Sequence, residues 1–322
     1  MINIQGLSKY YQEVCAVDNI DLTIKQGEIM GLLGPNAAGK TTTLRILTGY
    51  LSPSSGNVQI KNYTLTKDIL KIKQLIGYLP ETPPLYKNLF VYDYLSYLGQ
   101  IRDMDKHTIQ SRLQEVISQC GIKSVMHKKI GELSKGYQQR LGIAHALLHD
   151  PEILILDEPT TGLDPNQILE IRELIREVGK KKTVILSTHI LSEAEATCDR
   201  MVIIHKGQIA ANGTPQELKQ ASNYTPLIHL SLNNAEESEV TSILSRISGV
   251  RQIESKTESS SPCLDLRIHC EPNLDLRERI YATIKNTNWT LMEFYLQTQT
   301  LENIFKELTH ENRYEENKQE VA

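Results

Sequence analysis

No window of the chain approaches the ~20 apolar residues needed to cross a bilayer. The opening Met1-Ile2-Asn3-Ile4-Gln5 has neither a basic region nor an apolar run, so neither a secretory leader nor a membrane anchor is expected. If the protein works at a membrane, another polypeptide must supply the membrane part. The five cysteines (Cys15, Cys120, Cys198, Cys263 and Cys270) are odd in number and scattered, without a CxxC pair. That pattern argues against a disulfide framework and for free thiols in a reducing cytosol. A cationic surplus is missing too: the formal net charge is −4, so no global field draws in nucleic acid or anionic lipid. A chain of 322 residues has room for two domains, the first with a sizeable core.

What is present is organised around one loop. The apolar run Ile29 to Leu33 leads into Gly34-Pro35-Asn36-Ala37-Ala38-Gly39-Lys40-Thr41, and the helix-like segment Thr42 to Leu47 follows. Strand, glycine-rich loop and helix in that order form a phosphate-binding P-loop. Its glycines let backbone N–H groups converge on phosphate oxygens, and the helix N-terminus adds positive dipole to the same spot. Lys40 is expected to reach the β- and γ-phosphates of a bound nucleotide, and the Thr41 hydroxyl to sit on Mg²⁺.

Upstream, Ile2 to Leu7 and Ile20 to Ile24 read as strands around a loop holding Tyr10 and Tyr11. Downstream, Asn57 to Ile60 and Leu75 to Leu79 read as further strands, and from Leu89 to about Gln119 the pattern turns helical. This helical insert, about residues 82–145, ends in Leu133-Ser134-Lys135-Gly136-Tyr137-Gln138, with a helix over Leu141 to Leu148. The run Ile153-Leu154-Ile155-Leu156 then ends in Asp157-Glu158, as a strand buried on both faces does where its C-terminal end meets a ligand. Ile168, Ile171, Leu174, Ile175 and Val178 make a helix face stopped by Gly179. A strand from Thr183 to Leu186 ends in Ser187-Thr188-His189, and a helix and the strand Met201 to Ile204 follow. Alternation of this kind means a mostly parallel α/β sheet.

Phosphate loop, Ser-x-Gly loop, Asp-Glu strand end and strand-terminal His, in that order, resemble the ATP-binding cassette (ABC) ATPases over about the first 220 positions. The resemblance implies roles residue by residue. Asp157 would be the Mg²⁺-side carboxylate, Glu158 the general base and His189 the γ-phosphate contact. Tyr11 would stack on adenine and Thr42 hold the α-phosphate. Ser134, Lys135, Gly136 and Tyr137 would close on ATP held by a second copy or a paralogous subunit, with Asp164 across the same interface. Glu81 stands where most of these ATPases have a glutamine that senses Mg²⁺ and the transmembrane partner, and glutamate can still ligate Mg²⁺. Lys135 replaces the first glycine of the usual Ser-Gly-Gly, and Ala37 replaces a frequent P-loop glycine.

The stretches Ile76-Gly77-Tyr78-Leu79-Pro80-Glu81 and Leu133-Ser134-Lys135-Gly136-Tyr137 look like the ATP-binding subunits of bacterial ABC-2-type exporters, of gliding-motility or multidrug type. The implied protein is an ATP hydrolase on the cytoplasmic face of the membrane, dimeric, partnered by a separate integral membrane permease and not by nucleic acid. Two other readings are a soluble ABC ATPase acting on ribosomes or DNA, and a regulatory nucleotide-binding module without turnover.

Beyond Ala221 the pattern changes. Residues 222–309 read as strand, helix, strand, strand, helix, strand and a final amphipathic helix, a small ferredoxin-like sandwich. A serine-rich loop is expected at Glu258 to Pro262, and residues 310–322 read as a charged, disordered tail. Cys263, His269 and Cys270 are not read as a metal site, because neighbours in a strand point to opposite faces.

Overall fold

The structure is a computed structural model and describes residues 1–221, 226–255, 263–271, 274–297 and 301–310. It divides into two compact units, Met1–Pro215 and Gln216–Glu307. The division falls at the start of the helix Pro215–Ala221, where a boundary at its end was expected. The serine-rich loop and the tail 311–322 lie outside the described residues.

The first unit opens with strands β1 (Ile2–Tyr11) and β2 (Val14–Ile24), which pair as an antiparallel hairpin. Both strands run further than expected, so Tyr10 and Tyr11 end a strand instead of sitting in a loop. Bulges between Ile4 and Leu7 and again up to Tyr10 break the two-residue alternation from which strand length is read. Next come β3 (Ile29–Leu33), α1 (Lys40–Leu47), β4 (Ser55–Ile60), β5 (Tyr63–Thr64), α2 (Ile69–Leu75) and β6 (Ile76–Leu79).

Between β6 and the next strand the chain is built of helices: α3 (Val91–Ile101), α4 (Lys106–Gln119) and α5 (Lys135–Leu147). Asp105 caps α4 by accepting from the backbone N–H groups of His107 and Thr108, which splits the expected helical stretch in two. Helix α5 starts at Lys135, well before Leu141, because Ser134 caps it by accepting from Tyr137 N–H. The unit continues with β7 (Ile153–Asp157), α6 (Pro165–Gly179), β8 (Thr183–Thr188), α7 (Leu191–Thr197), β9 (Arg200–His205) and β10 (Gln208–Gly213).

Strands β1, β2, β4 and β5 form an antiparallel sheet, and a second sheet has the order β10-β9-β3-β8-β7-β6. All its neighbours are parallel except β10 on β9. The side chains of Ile153, Leu154, Ile155 and Leu156 are fully buried. Each contributes about 1.5–3 kcal/mol of apolar burial, enough to hold the end of β7 in place although Asp157 closes it and Glu158 follows.

The second unit contains α8 (Pro215–Ala221), β11 (Leu227–Asn233), α9 (Glu237–Leu244), β12 (Val250–Ser255), β13 (Leu264–Cys270), α10 (Arg277–Ile284), β14 (Thr290–Gln297) and, to Glu307, α11 (Leu301–His310). Its four strands pair antiparallel in the order β12-β13-β11-β14. Ile228, Leu230, Leu264, Leu266 and Ile268 alternate onto one face and share a core with Val240 and Leu244 of α9 and with Ile280 and Ile284 of α10. Cys270 is buried in that core, whereas His269 points the other way toward Glu254. Among the described residues no cluster of His, Cys, Asp or Glu is arranged to hold a metal ion, and no helix is long and apolar enough to cross a membrane.

Candidate active site

The loop after β3 turns into α1 at Gly39, where φ is +108° and a side-chain carbon would overlap the Ala16 carbonyl oxygen. Only glycine fits that approach of two backbones. Lys40 folds back over the loop, its ammonium donating to the carbonyls of Gly34 at 2.8 Å and Pro35 at 3.2 Å. The ammonium also lies 3.5 Å from Glu158 Oε1. Both Lys40 and Glu158 are buried, and a buried charge must be paired.

The parallel register of the central sheet brings the remaining groups to the same edge. Strand β7 ends in Asp157 opposite Ser187 of β8. Asp157 Oδ1 accepts from Thr41 Oγ1 at 3.1 Å and from Ser187 Oγ at 2.6 Å. Glu158, the next residue, has φ +50°, a left-handed conformation of the kind held at functional sites. Its Oε2 lies 2.8 Å from His189 Nδ1 and accepts from Thr161 Oγ1 at 3.2 Å.

Asn36 to Thr42, Glu81, Glu158 and His189 line one cavity of about 650 Å³, joined by Thr161 and by Val14, Cys15 and Ala16 of β2. Most of the expected nucleotide-binding and catalytic residues thus meet in one place. Gly34 and Pro35 take part through their carbonyls, and Asp157 through Thr41. Tyr11 is not among the lining residues; it is exposed, with the Lys9 ammonium 5.5 Å from its ring centre.

Ser134, Lys135, Gly136 and Tyr137 open α5 and do not line this cavity. The Lys135 ammonium fills the space beside Gly162. Asp164 caps α6, accepting from Gln167 N–H at 2.9 Å. Sequence reasoning gave no role to Ser187 or Thr161. A hydroxyl closing an otherwise apolar strand was the available signal for the first, and nothing local marked the second.

Mg²⁺ fits the donors present. Thr41 and Asp157 already place a hydroxyl and a carboxylate oxygen side by side, and Glu81 lines the same cavity. Hard oxygen ligands of this kind suit a cation that keeps its waters and phosphate oxygens for the remaining positions.

A family model described as ABC transporter matches residues 17–161. The chain is 42% identical over 220 residues to the uncharacterized ABC transporter ATP-binding protein YxlF of Bacillus subtilis, covering 68% of this chain and 73% of the relative. It is 42% identical over 211 residues to the bacitracin transport ATP-binding protein BcrA of Bacillus licheniformis, covering 65% and 68%. Among solved structures, the dimeric post-hydrolysis cassette MJ0796, bound to ADP and Pi, superposes with a TM-score of 0.61 at 26% identity, covering 66% of this chain and 98% of that one. The geometry and these likenesses agree: the chain belongs to the ABC transporter family, as one of its ATP-binding, ATP-hydrolysing proteins.

Proposed function

We propose that this chain is the energy-coupling subunit of an ABC-2-type exporter, working on the cytoplasmic face of a membrane as a head-to-tail dimer with two ATP molecules at its interface. The observation that carries the reading is the buried Glu158 carboxylate, held between His189 and Lys40 beside the P-loop. A carboxylate so placed would serve as general base for the water that attacks the γ-phosphate. Lys40 would exchange the loop carbonyls for the β- and γ-phosphates, and Thr42 would hold the α-phosphate. Thr41 and Asp157 would hold Mg²⁺ with Glu81 on the same cavity, and that ion, when bound, offsets charge on the phosphate oxygens.

In the dimer, Ser134, Lys135, Gly136 and Tyr137 of one copy would face the ATP of the other, with Asp164 beside them. The adenine would stack on Tyr11. The second unit, whose strand order is that of a ferredoxin-like sandwich, would regulate or stabilise the dimer. Transport is supported by the name of BcrA, the bacitracin transport ATP-binding protein of Bacillus licheniformis.

The test is to tag the Glu158→Gln chain, extract it from cells in mild detergent with ATP and Mg²⁺, and identify what accompanies it. A hydrophobic protein with several membrane spans, in comparable amount, is the expected result. Ribosomal proteins or DNA in its place would overturn the exporter reading and make this a non-transport ATPase.

A further inference from the structure

Strand β8 buries Val184, Ile185 and Leu186 and then Ser187, which is 0% exposed. A hydroxyl carried so deep is unfavourable unless its hydrogen bonds are made. Ser187 makes them in both senses. Its Oγ donates to Asp157 Oδ1 at 2.6 Å and accepts from the Glu158 backbone N–H at 2.9 Å. The same N–H also points at the Ser187 carbonyl, at 3.2 Å. The two residues held in this way are adjacent in sequence but have different tasks. Asp157 shares an oxygen with Thr41 on the metal side, and Glu158 sits at φ +50° with its carboxylate turned toward His189 and Lys40. A peptide unit in that conformation needs an external hold to keep its side chain aimed.

We infer that Ser187 is a positioning residue for ATP hydrolysis, one hydroxyl that fixes both the metal-side carboxylate of Asp157 and the backbone that aims Glu158. The inference rests on the roles proposed above for those two residues. An apolar residue would fill this position of β8 as well as its neighbours fill theirs, so packing gives no reason for a serine, whereas the pair of hydrogen bonds does.

The test uses the full chain as wild type, Ser187→Ala and Ser187→Thr. Thermal stabilisation by ATP is measured in EDTA and again with Mg²⁺, alongside steady-state hydrolysis. Ser187→Ala is expected to keep the shift given by ATP in EDTA but to lose most of the extra shift given by Mg²⁺. Its kcat is expected to fall about tenfold or more, with KM for ATP within about twofold of wild type. Ser187→Thr restores the hydroxyl and is expected to recover both the Mg²⁺ increment and most of kcat. Should the alanine variant not fold, Ser187→Cys, of similar size but a weak donor, takes its place in the same comparison.

Full Mg²⁺ increment and wild-type kcat in Ser187→Ala would overturn the inference, as would a threonine variant no better than alanine. A wild-type chain showing neither the Mg²⁺ increment nor hydrolysis would overturn the assignment of Asp157 and Glu158 beneath it.

Discussion

His189 Nδ1 lies 2.8 Å from Glu158 Oε2, while Lys40 Nζ stands 3.5 Å from the other oxygen of the same carboxylate. The carboxylate proposed above to take a proton from water is thus buried, with a cation beside it. The carboxylate is flanked by an imidazole nitrogen at one oxygen and by an ammonium at the other. Lys40 also bonds to the carbonyls of Gly34 and Pro35, so it does not depend on Glu158 for partners.

Removing only the charge of Glu158 is therefore expected to leave the loop intact. Glu158→Gln should lower single-turnover hydrolysis by about 10²-fold or more while ATP still binds. With ATP and Mg²⁺ this variant should elute from gel filtration as a dimer. Hydrolysis near the wild-type rate would place the general base elsewhere, and a purely monomeric profile would count against the dimer mechanism.

Ala37 occupies a left-handed position, with φ +64°, in the loop where glycine is frequent. An L-residue there costs on the order of 1 kcal/mol, partly offset because glycine loses more entropy on folding. Ala37→Gly is expected to leave the melting temperature unchanged or slightly raised, with ATP affinity retained. Ala37→Val puts a β-branched side chain into the same conformation and should lower stability by more than about 1 kcal/mol. Melting curves of the two variants decide the matter: equal stability would mean the loop relaxes freely and the φ value carries no strain.

Asp157 and Glu158 were legible because four apolar residues drive them to a strand end, and Lys40 because its loop has a fixed spacing. Ser187 was not, since its meaning lies in register. It becomes the neighbour of Asp157, 30 residues away, only when β7 and β8 pair in parallel. The start of α5 was read late because the apolar face begins at Leu141, whereas the cap that starts the helix is Ser134. Strand β10 was missed because it lies at a sheet edge, half exposed, and carries little of the branched or aromatic bulk that marks strands. In the second unit, period-two alternation in β11 and β13 was clear because one face packs on α9 and α10.

Gly136 is buried near the start of α5, and a side-chain carbon there would lie 2.7 Å from Cδ of Gln167. The clash is with the far end of a flexible chain, which can turn aside. Within a helix, alanine is favoured over glycine by about 0.8–1 kcal/mol. Gly136→Ala is thus expected to keep the melting temperature of the wild type or exceed it. If the loop works by close backbone approach to ATP on a second copy, the same variant should still lose most of its hydrolysis. Full activity in a stable Gly136→Ala protein would remove this loop from the reaction.

His145 and His149 lie at the C-terminal end of α5 and just beyond it. Tyr94 Oη stands 3.1 Å from His145 Nδ1, and His149 Nε2 donates to the Ile76 carbonyl at 3.1 Å. Burial, reinforced by the nearby Arg102 guanidinium, pushes each imidazole down to about 4. In the unfolded chain both titrate near 6.5. Between those values the unfolded state binds more protons, so stability is complete above about pH 6.5 and is lost as pH falls toward 4. The loss for the two together is on the order of a few kcal/mol. His149→Gln keeps a donor for Ile76 and removes one titrating group. Its melting temperature at pH 8 is expected to stay near wild type, and its decline from pH 6.5 to 4 to be visibly shallower. Melting temperatures of the two proteins across that range test the point. Parallel curves would show that other groups, and not this histidine, set the acid limit of the fold.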